Sequence, residues 1–348
     1  MVLHHSEEIT VVTPEGDHPS FPAFFSRPNY GSGPGLILIT EHLNMTQDDE
    51  QEANLFAQEG YVVLLLNLET LSLDDDEEAL IYIRGAINHF ENVSEKVGKI
   101  AIIGRGHGGS LTLKLISQES SLQKAHDANF ISRIDCGRGF ASPNYDQISQ
   151  EISFKSDLAH TRSLSILRKV IGPYRNLSDL WETHMKHEFT SKDVQKTMST
   201  MTDDAYVNHV PTMIGGGVEH ERLAQFYQNH FVNSNPPDTK IIPISRTIGV
   251  NRLADEMILC FTHTQEIDWL LPGVAPTNKY VEIPMVGIIY FRDNKLYAEH
   301  IYWDQASVLV QIGLMKNIGS LPVTGAEQAK TLLDKKLPNN ELLKRKAK

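Results

Sequence analysis

Three apolar runs of strand length punctuate the first third of the chain: GLILIT at 35–40, YVVLLLNL at 61–68 and KIAIIG at 99–104. Between them lie segments of helical composition, 47–60 and DDEEALIYIRGAINHF at 75–90. Strands that read as continuously apolar are buried on both faces, and helices between them supply the cover, so this part predicts an α/β domain with a mostly parallel sheet. EEITVVTP at 7–14 and FPAFFSRP at 21–28 predict an edge hairpin ahead of it. The acidic run at 74–78 falls at a helix start, where the positive end of the helix dipole favours it, and reads as a solvated cap.

The pattern changes after Tyr145. A polar stretch with one apolar patch, SLSILRKVIGPY at 163–174, predicts a linker containing a short helix over 151–176. NLSDLWETHMKHEF follows, with Ser178 as N-cap and Leu180, Trp181, His184, Met185 and Glu188 on or beside one helical face. A second helix is predicted from Ser191, with Asp193 in its first turn, and a third over EHERLAQFYQNHF at 219–231. Four long strand patterns then run in succession, 239–250, 252–267, 279–291 and 295–303, the last two joined by a tight turn at Asp293-Asn294. Helices first and an antiparallel sheet afterwards predict an α+β domain over 177–318, followed by a tail at 319–348.

Composition narrows the function. At 348 residues the chain exceeds the usual size of one core, which supports two domains. Its net charge of −12 repels polyanions, so nucleic acid is not an expected partner, and the basic KRKAK at 344–348 reads as a solvated tail. The start MVLHHSEEITVV lacks a basic region followed by an apolar one, and no later run approaches the length of a membrane span; a cytoplasmic protein with no membrane partner is the expectation. Cys136 and Cys260 are too far apart in sequence to form a CxxC pair, so they imply neither a disulfide framework nor a zinc site.

The segment IAIIGRGHGGSLTL at 100–113 has the strand, glycine-rich turn and helix start of a nucleophile elbow. It resembles the dienelactone hydrolase family (carboxymethylenebutenolidases), whose elbow reads G-x-C-x-G-G, and the resemblance covers about residues 6–145. Gly104, Gly108 and Gly109 match the family glycines, and Gly106 stands at the cysteine position. Glu41, in TEHLN at 40–44, matches the glutamate held against that cysteine. Nucleophilic attack needs a thiolate or hydroxyl with a base in reach, and Gly106 supplies none. His107 follows the apex, where the backbone N–H normally serves an oxyanion hole and the side chain turns away. The resemblance therefore implies a truncated α/β-hydrolase-like domain over 1–150 that has lost its attack chemistry.

Three further segments, 206–227, 261–284 and AEHIYWDQASVLVQIGL at 298–314, resemble the SnoaL-like branch of the nuclear-transport-factor-like superfamily, which also includes ketosteroid isomerase. The resemblance implies a cone formed by a curved sheet, with an apolar wall and a few polar groups. Asp304 matches the aspartate that acts as general acid/base in SnoaL-type cyclases, His263 the histidine of a T-H-T motif, and His209 a histidine on the entrance strand. Tyr206 is adjacent to that strand position. Strand alternation places His300, Tyr302 and Asp304 on one face and Glu299, Ile301 and Trp303 on the other; Met257, Leu259, Phe261 and His263 also share a face. Trp269, in the DWLL insertion at 268–271, is expected to narrow the entrance or form a subunit contact, and Gly215 to Gly217 to form a mobile loop.

A carboxylate in an apolar cone flanked by histidines suits proton transfer beside a carbonyl, which gives cyclisation, isomerisation or elimination on a small apolar carbonyl compound with no cofactor. His184 and His187 have a two-ligand spacing but no visible third ligand, so no metal site is expected. Two alternatives stay open: a non-catalytic ligand-binding or dimerisation protein, and residual ester or lactone hydrolysis in the first domain. A homodimer through the C-terminal sheet is expected, since Ile258, Val286, Ile288 and Tyr290 on its outer face need cover.

Overall fold

A computed structural model of the chain describes residues 4–13, 20–40, 45–68, 76–93, 97–106, 108–112, 129–130, 150–217, 219–316 and 321–344. It divides the chain into two compact units, Met1–Arg175 and Asn176–Lys348.

The first unit is built on a six-stranded sheet: β1 (His4–Val11), β2 (Phe21–Pro28), β3 (Gly33–Ile39), β4 (Val62–Leu66), β5 (Val97–Gly104) and β6 (Asn129–Phe130), in the order β1-β2-β4-β3-β5-β6. β1 and β2 form the antiparallel edge hairpin, while β4, β3, β5 and β6 run parallel. All five residues of β4 are buried, as a strand covered on both faces requires. Helices α1 (Gln47–Gln58) and α2 (Asp76–Asn92) connect the parallel strands. A capping box starts α1: the Thr46 hydroxyl accepts from the Asp49 N–H at 3.3 Å and the Asp49 carboxylate accepts from the Thr46 N–H at 2.9 Å. Asp76 to Glu78 open α2, on the part of the acidic run that is described.

The segment expected as a linker differs most. It forms a 21-residue helix, α3 (Gln150–Val170), inside the first unit. Leu164 and Leu167 are fully buried, the Arg168 guanidinium pairs with Glu59, and the Tyr61 hydroxyl donates to the Gly172 carbonyl at 2.5 Å. The apolar patch noted in the sequence thus buries against the end of α1 and the start of β4, and burial of Tyr61 pushes its phenol pKa up.

At the turn after β5 the backbone takes the shape of an elbow. Gly106 has φ of 50°, in the left-handed region, and a helical turn begins at Gly108. The approach of strand to helix leaves no room for side chains. A Cβ on Gly104 would sit 2.2 Å from the Gly108 carbonyl oxygen, and one on Gly108 would sit 2.7 Å from that of Ile39. Glu41 and His107 lie outside the described residues.

The second unit has its own six-stranded sheet: β7 (Met201–His209), β8 (Ile214–Gly216), β9 (Lys240–Ile248), β10 (Arg252–Thr262), β11 (Tyr280–Arg292) and β12 (Lys295–Trp303), in the order β8-β7-β12-β11-β10-β9. The four long strands pair antiparallel as the sequence suggested, but β7 joins β12 in parallel, so the sheet is mixed. Along β11 burial alternates strictly: Val281, Ile283, Met285, Ile289 and Phe291 face the core. Against that face pack α4 (Leu177–Met185), α5 (Val194–Ser199) and α6 (His220–Phe226). α4 and α6 each run on into a π-helical turn, Lys186–Thr190 and Tyr227–Phe231. α7 (Gln305–Gln311) follows β12.

Two expectations about this unit need correction. Gly215 and Gly216 do not form a mobile loop; they lie in β8, paired with Asn208 and Val207, where a Cβ on Gly215 would sit 2.0 Å from the Val207 carbonyl oxygen. The segment expected as a tail contains α8 (Glu327–Leu333), whose Ala329 buries with Ile258 and Cys260 on the outer face of the sheet. The chain covers that part of the face itself, which removes part of the reason for expecting a partner there. No helix among the described residues is long and apolar enough to cross a membrane.

The elbow's tight packing gives a direct test. Gly108→Ala forces a methyl group against backbone oxygens of Ile39 and Thr40, and is expected to lower stability by about 1–3 kcal/mol in urea unfolding followed by circular dichroism. An unchanged midpoint would show that strand and helix are not in this close approach.

Candidate active site

α4 reaches the sheet through one buried anchor. The Trp181 indole N–H donates to Asp255 on β10 at 2.7 Å, and Arg246 on β9 grips the same carboxylate with two nitrogens at 2.9 and 3.0 Å. The next helical turn therefore carries His184 to a fixed place, with its ring stacked on Trp181 at 5.7 Å between centroids. His184 is fully buried.

Its two nitrogens have different partners. Nδ1 lies 2.6 Å from the Thr200 hydroxyl, whose own hydrogen goes to the Thr197 carbonyl at 2.6 Å. Thr200 must then accept, so the hydrogen-bond network assigns a proton to Nδ1. Nε2 faces two carboxylates, Glu188 Oε1 at 3.0 Å and Glu299 Oε1 at 3.1 Å. Glu188 is one turn along the same helical face, inside the first π-helical turn. Glu299 comes from β12, on the face that also carries Ile301 and Trp303. Tyr227 opens the second π-helical turn, and its buried hydroxyl lies against both carboxylates without hydrogen-bond geometry to either.

These groups form one wall of a cavity. Glu188, Glu299 and Tyr227 line it together with His209, and Trp181, Phe189, Phe231, Met257, Trp269 and Met285 make most of the remaining wall. The cavity they enclose has a volume of about 40 Å³. The cavity is a narrow aromatic slot with polar groups on one side.

Electrostatics follow from this dryness. Burial disfavours a charged His184, but the two carboxylates outweigh it and hold the imidazole protonated, with a pKa raised to about 10. Burial pushes the Glu299 carboxyl up, with His184 opposing and Glu188 reinforcing. Burial also raises the Tyr227 phenol, further than any ordinary tyrosine. His209 is the opposite case. Its Nδ1–H donates to the Ile214 carbonyl at 2.8 Å, its ring packs 4.7 Å from Trp269, and burial lowers its pKa to about 4. It is a neutral imidazole whose Nε2 lone pair remains for a ligand.

The structure places the sequence candidates unevenly. His209, Met257 and Trp269 line the cavity. Phe261 is buried in the same core but behind the lining. Trp269 is wholly buried and donates to Asn235 at 3.1 Å, so it does not form a subunit contact. His263 is buried away from the cavity, where its Nδ1 lies 3.1 Å from the Thr277 hydroxyl and 3.4 Å from the Thr277 N–H. It organises the connection from β10 to β11.

Asp304 is a correction. It follows the last residue of β12 and caps α7: Oδ1 accepts from the Ala306 and Ser307 N–H groups at 2.9 and 3.3 Å, and Oδ2 accepts from Gln328 at 2.6 Å. Both oxygens are engaged and neither faces the cavity. Tyr206, His300 and Tyr302 are corrections of another kind. They occupy the outer face of the sheet, where Tyr206 and Tyr302 are exposed and His300 packs edge-on to Tyr206 and tilted against Tyr290. The alternation along β12 holds, with the cavity on the face opposite to these residues. The discriminating signal was present in the sequence: Ile301 and Trp303 make the other face the apolar one, and Glu299 shares it.

No family model and no curated protein matches the chain. Similar solved structures include a candidate SnoaL-like polyketide cyclase from Jannaschia sp. CCS1, 16% identical, covering 41% of this chain and 99% of that one with a TM-score of 0.33. They include a protein of ketosteroid isomerase-like fold from Catenulispora acidiphila in complex with trimethylamine, 12% identical, covering 39% and 92% with a TM-score of 0.30. A candidate dienelactone hydrolase from Klebsiella pneumoniae is 17% identical and covers 32% of this chain and 54% of that one, with a TM-score of 0.28. At these scores the likeness assigns no activity, and the reading of the site rests on its own geometry.

Two outcomes follow from the placements. Asp304→Ala is expected to cost about 1 kcal/mol of stability through the lost cap, and to leave ligand binding in the cavity unchanged; loss of binding would return Asp304 to the site. The second outcome concerns pH. His209 has a folded pKa near 4 against an ordinary 6.5, so its contribution is complete above pH 6.5 and is lost as pH falls towards 4. The shift corresponds to at most about 3 kcal/mol. All three tryptophans, Trp181, Trp269 and Trp303, lie in the second unit, so their fluorescence reports its unfolding. The stability gap between wild type and His209→Gln should change between pH 7 and pH 4.5, in the direction of a wild type that weakens more; a constant gap would contradict the assignment.

Proposed function

We infer that the second unit is a small-molecule enzyme that transfers a proton next to a carbonyl group, in the manner of a cyclase, isomerase or lyase. The observation that carries this reading is the placement of two carboxyl groups, a phenol and a neutral imidazole on the wall of an otherwise apolar slot. An apolar wall selects a small apolar compound, and a few convergent polar groups orient it.

The chemistry divides among the residues. A carboxylate of Glu299 or Glu188 takes a proton from the carbon beside the carbonyl. The Tyr227 hydroxyl, buried against the two carboxylates, donates to the enolate oxygen that develops. His209 offers its Nε2 lone pair to a hydroxyl of the ligand. His184 touches no ligand; it lies behind the carboxylates and fixes where they point. The first unit, with Gly106 at the apex of its elbow, is read as a hydrolase-like scaffold without attack chemistry.

A non-catalytic binding protein is the second reading, and the narrowness of the slot favours it: Trp181, Phe231 and Trp269 leave little space for a substrate to turn over. Exchange of carbon-bound hydrogen for deuterium separates the two. A panel of small ketones and β-dicarbonyl compounds is screened by quenching of tryptophan fluorescence, and compounds that bind are incubated with the protein in D2O and followed by NMR. Exchange beside the carbonyl is expected to exceed the buffer rate, and Glu299→Gln and Tyr227→Phe are each expected to reduce it by about 100-fold. Binding without accelerated exchange would sink the enzyme reading and leave a binding protein.

A further inference from the structure

Hydrogen bonding does not account fully for the cluster at His184. A single N–H on Nε2 can point at one acceptor, and it has hydrogen-bond geometry to Glu188. Glu299 Oε1, at 3.1 Å from the same nitrogen, is left as a buried oxygen with no hydrogen-bond partner among the described residues. The Tyr227 hydroxyl, 1% exposed, lies against both carboxylates without hydrogen-bond geometry to either. Native interiors rarely leave buried polar atoms so poorly satisfied, and a bound ion is one of the ordinary explanations.

We propose that His184 Nε2, Glu188 and Glu299 bind a divalent first-row transition metal ion, with the Tyr227 oxygen beside it. The donor atoms of the three residues all lie within 4.8 Å of one another, and all three side chains are buried. The helical spacing of His184 and Glu188 puts two donors on one face, and β12 supplies the third from the facing sheet. The outer support that such a histidine needs is already built. Thr200 takes the Nδ1–H at 2.6 Å, so an incoming ion displaces the Nε2 proton to solvent and meets the lone pair that this leaves between the carboxylates. One imidazole with carboxylate oxygens suits zinc, cobalt, manganese or ferrous iron better than magnesium or calcium, which prefer all-oxygen sites that keep water. Glu188 and Glu299 also line the cavity, so the slot is the ion's route in and the side on which it would meet a ligand.

This inference shares Glu188 and Glu299 with the proton-transfer reading, but its test measures no turnover, so either can fail without the other. The untagged full-length chain is dialysed against EDTA and then titrated with Co2+, followed by visible absorption and by calorimetry; Zn2+ and Mg2+ are titrated in parallel. One equivalent of Co2+ and of Zn2+ is expected to bind, with Mg2+ at least 100-fold weaker. Glu188→Gln and Glu299→Gln are each expected to weaken Co2+ binding by 10-fold or more, with tryptophan fluorescence confirming a folded second unit. X-ray absorption of the zinc-loaded wild type, which needs no variant, should show oxygen donors and one imidazole. No stoichiometric Co2+ or Zn2+ binding would overturn the proposal. So would undiminished affinity in both folded variants, Mg2+ binding as tight as Zn2+, or an absorption edge showing sulfur or two or more imidazoles.

Discussion

Two ionised carboxylates cannot stand together in a dry cavity unless something positive lies between them. In this protein that place is taken by Nε2 of His184, 3.0 Å from Glu188 and 3.1 Å from Glu299. Removing one partner would leave a buried charge unpaired, so the other elements of the unit are organised to hold all of them. The Trp181–Asp255–Arg246 anchor fixes α4 on the sheet, Thr200 fixes the imidazole, and two π-helical turns bring Glu188 and Tyr227 to the cavity. The aromatic wall then keeps water away, which makes each of these interactions stronger than it would be at the surface.

The two units distribute geometry and chemistry differently. The first keeps the backbone of an elbow, with Gly106 in the left-handed region and glycines at the two closest approaches, but no nucleophile at its apex. The second has titratable groups in a cavity, on helices and two strands and not on loops, so their placement follows from packing. A chemistry that needs only proton movement, with or without an ion to hold an oxygen, can be run by groups placed in this way.

Much of the fold was legible in the sequence, because the apolar runs at 35–40, 61–68 and 99–104 and the alternation of the later strands report burial directly. The boundary between units was displaced because SLSILRKVIGPY reads as a polar linker with a patch, whereas the patch buries and Arg168 finds Glu59. The parallel pairing of β7 with β12 joins segments distant in sequence, and no local pattern encodes it. His209, Met257 and Trp269 were found as cavity residues. The family resemblance points to Asp304, which belongs to the helix after the strand, and not to Glu299. Glu188 had been seen on the apolar face beside His184, but a carboxylate one turn from a histidine declares itself as a site only when a third group arrives from elsewhere in the fold.

The account depends on a positive partner at His184 Nε2, and the nitrogen itself can be observed. Side-chain 15N NMR at pH 8, with the His184 signals assigned by comparison with His184→Asn, should show Nδ1 protonated and Nε2 either protonated or bound to a metal ion. A neutral ring with an unprotonated, metal-free Nε2 at that pH would mean that no positive partner lies between the two carboxylates, and the charge balance described here would be contradicted.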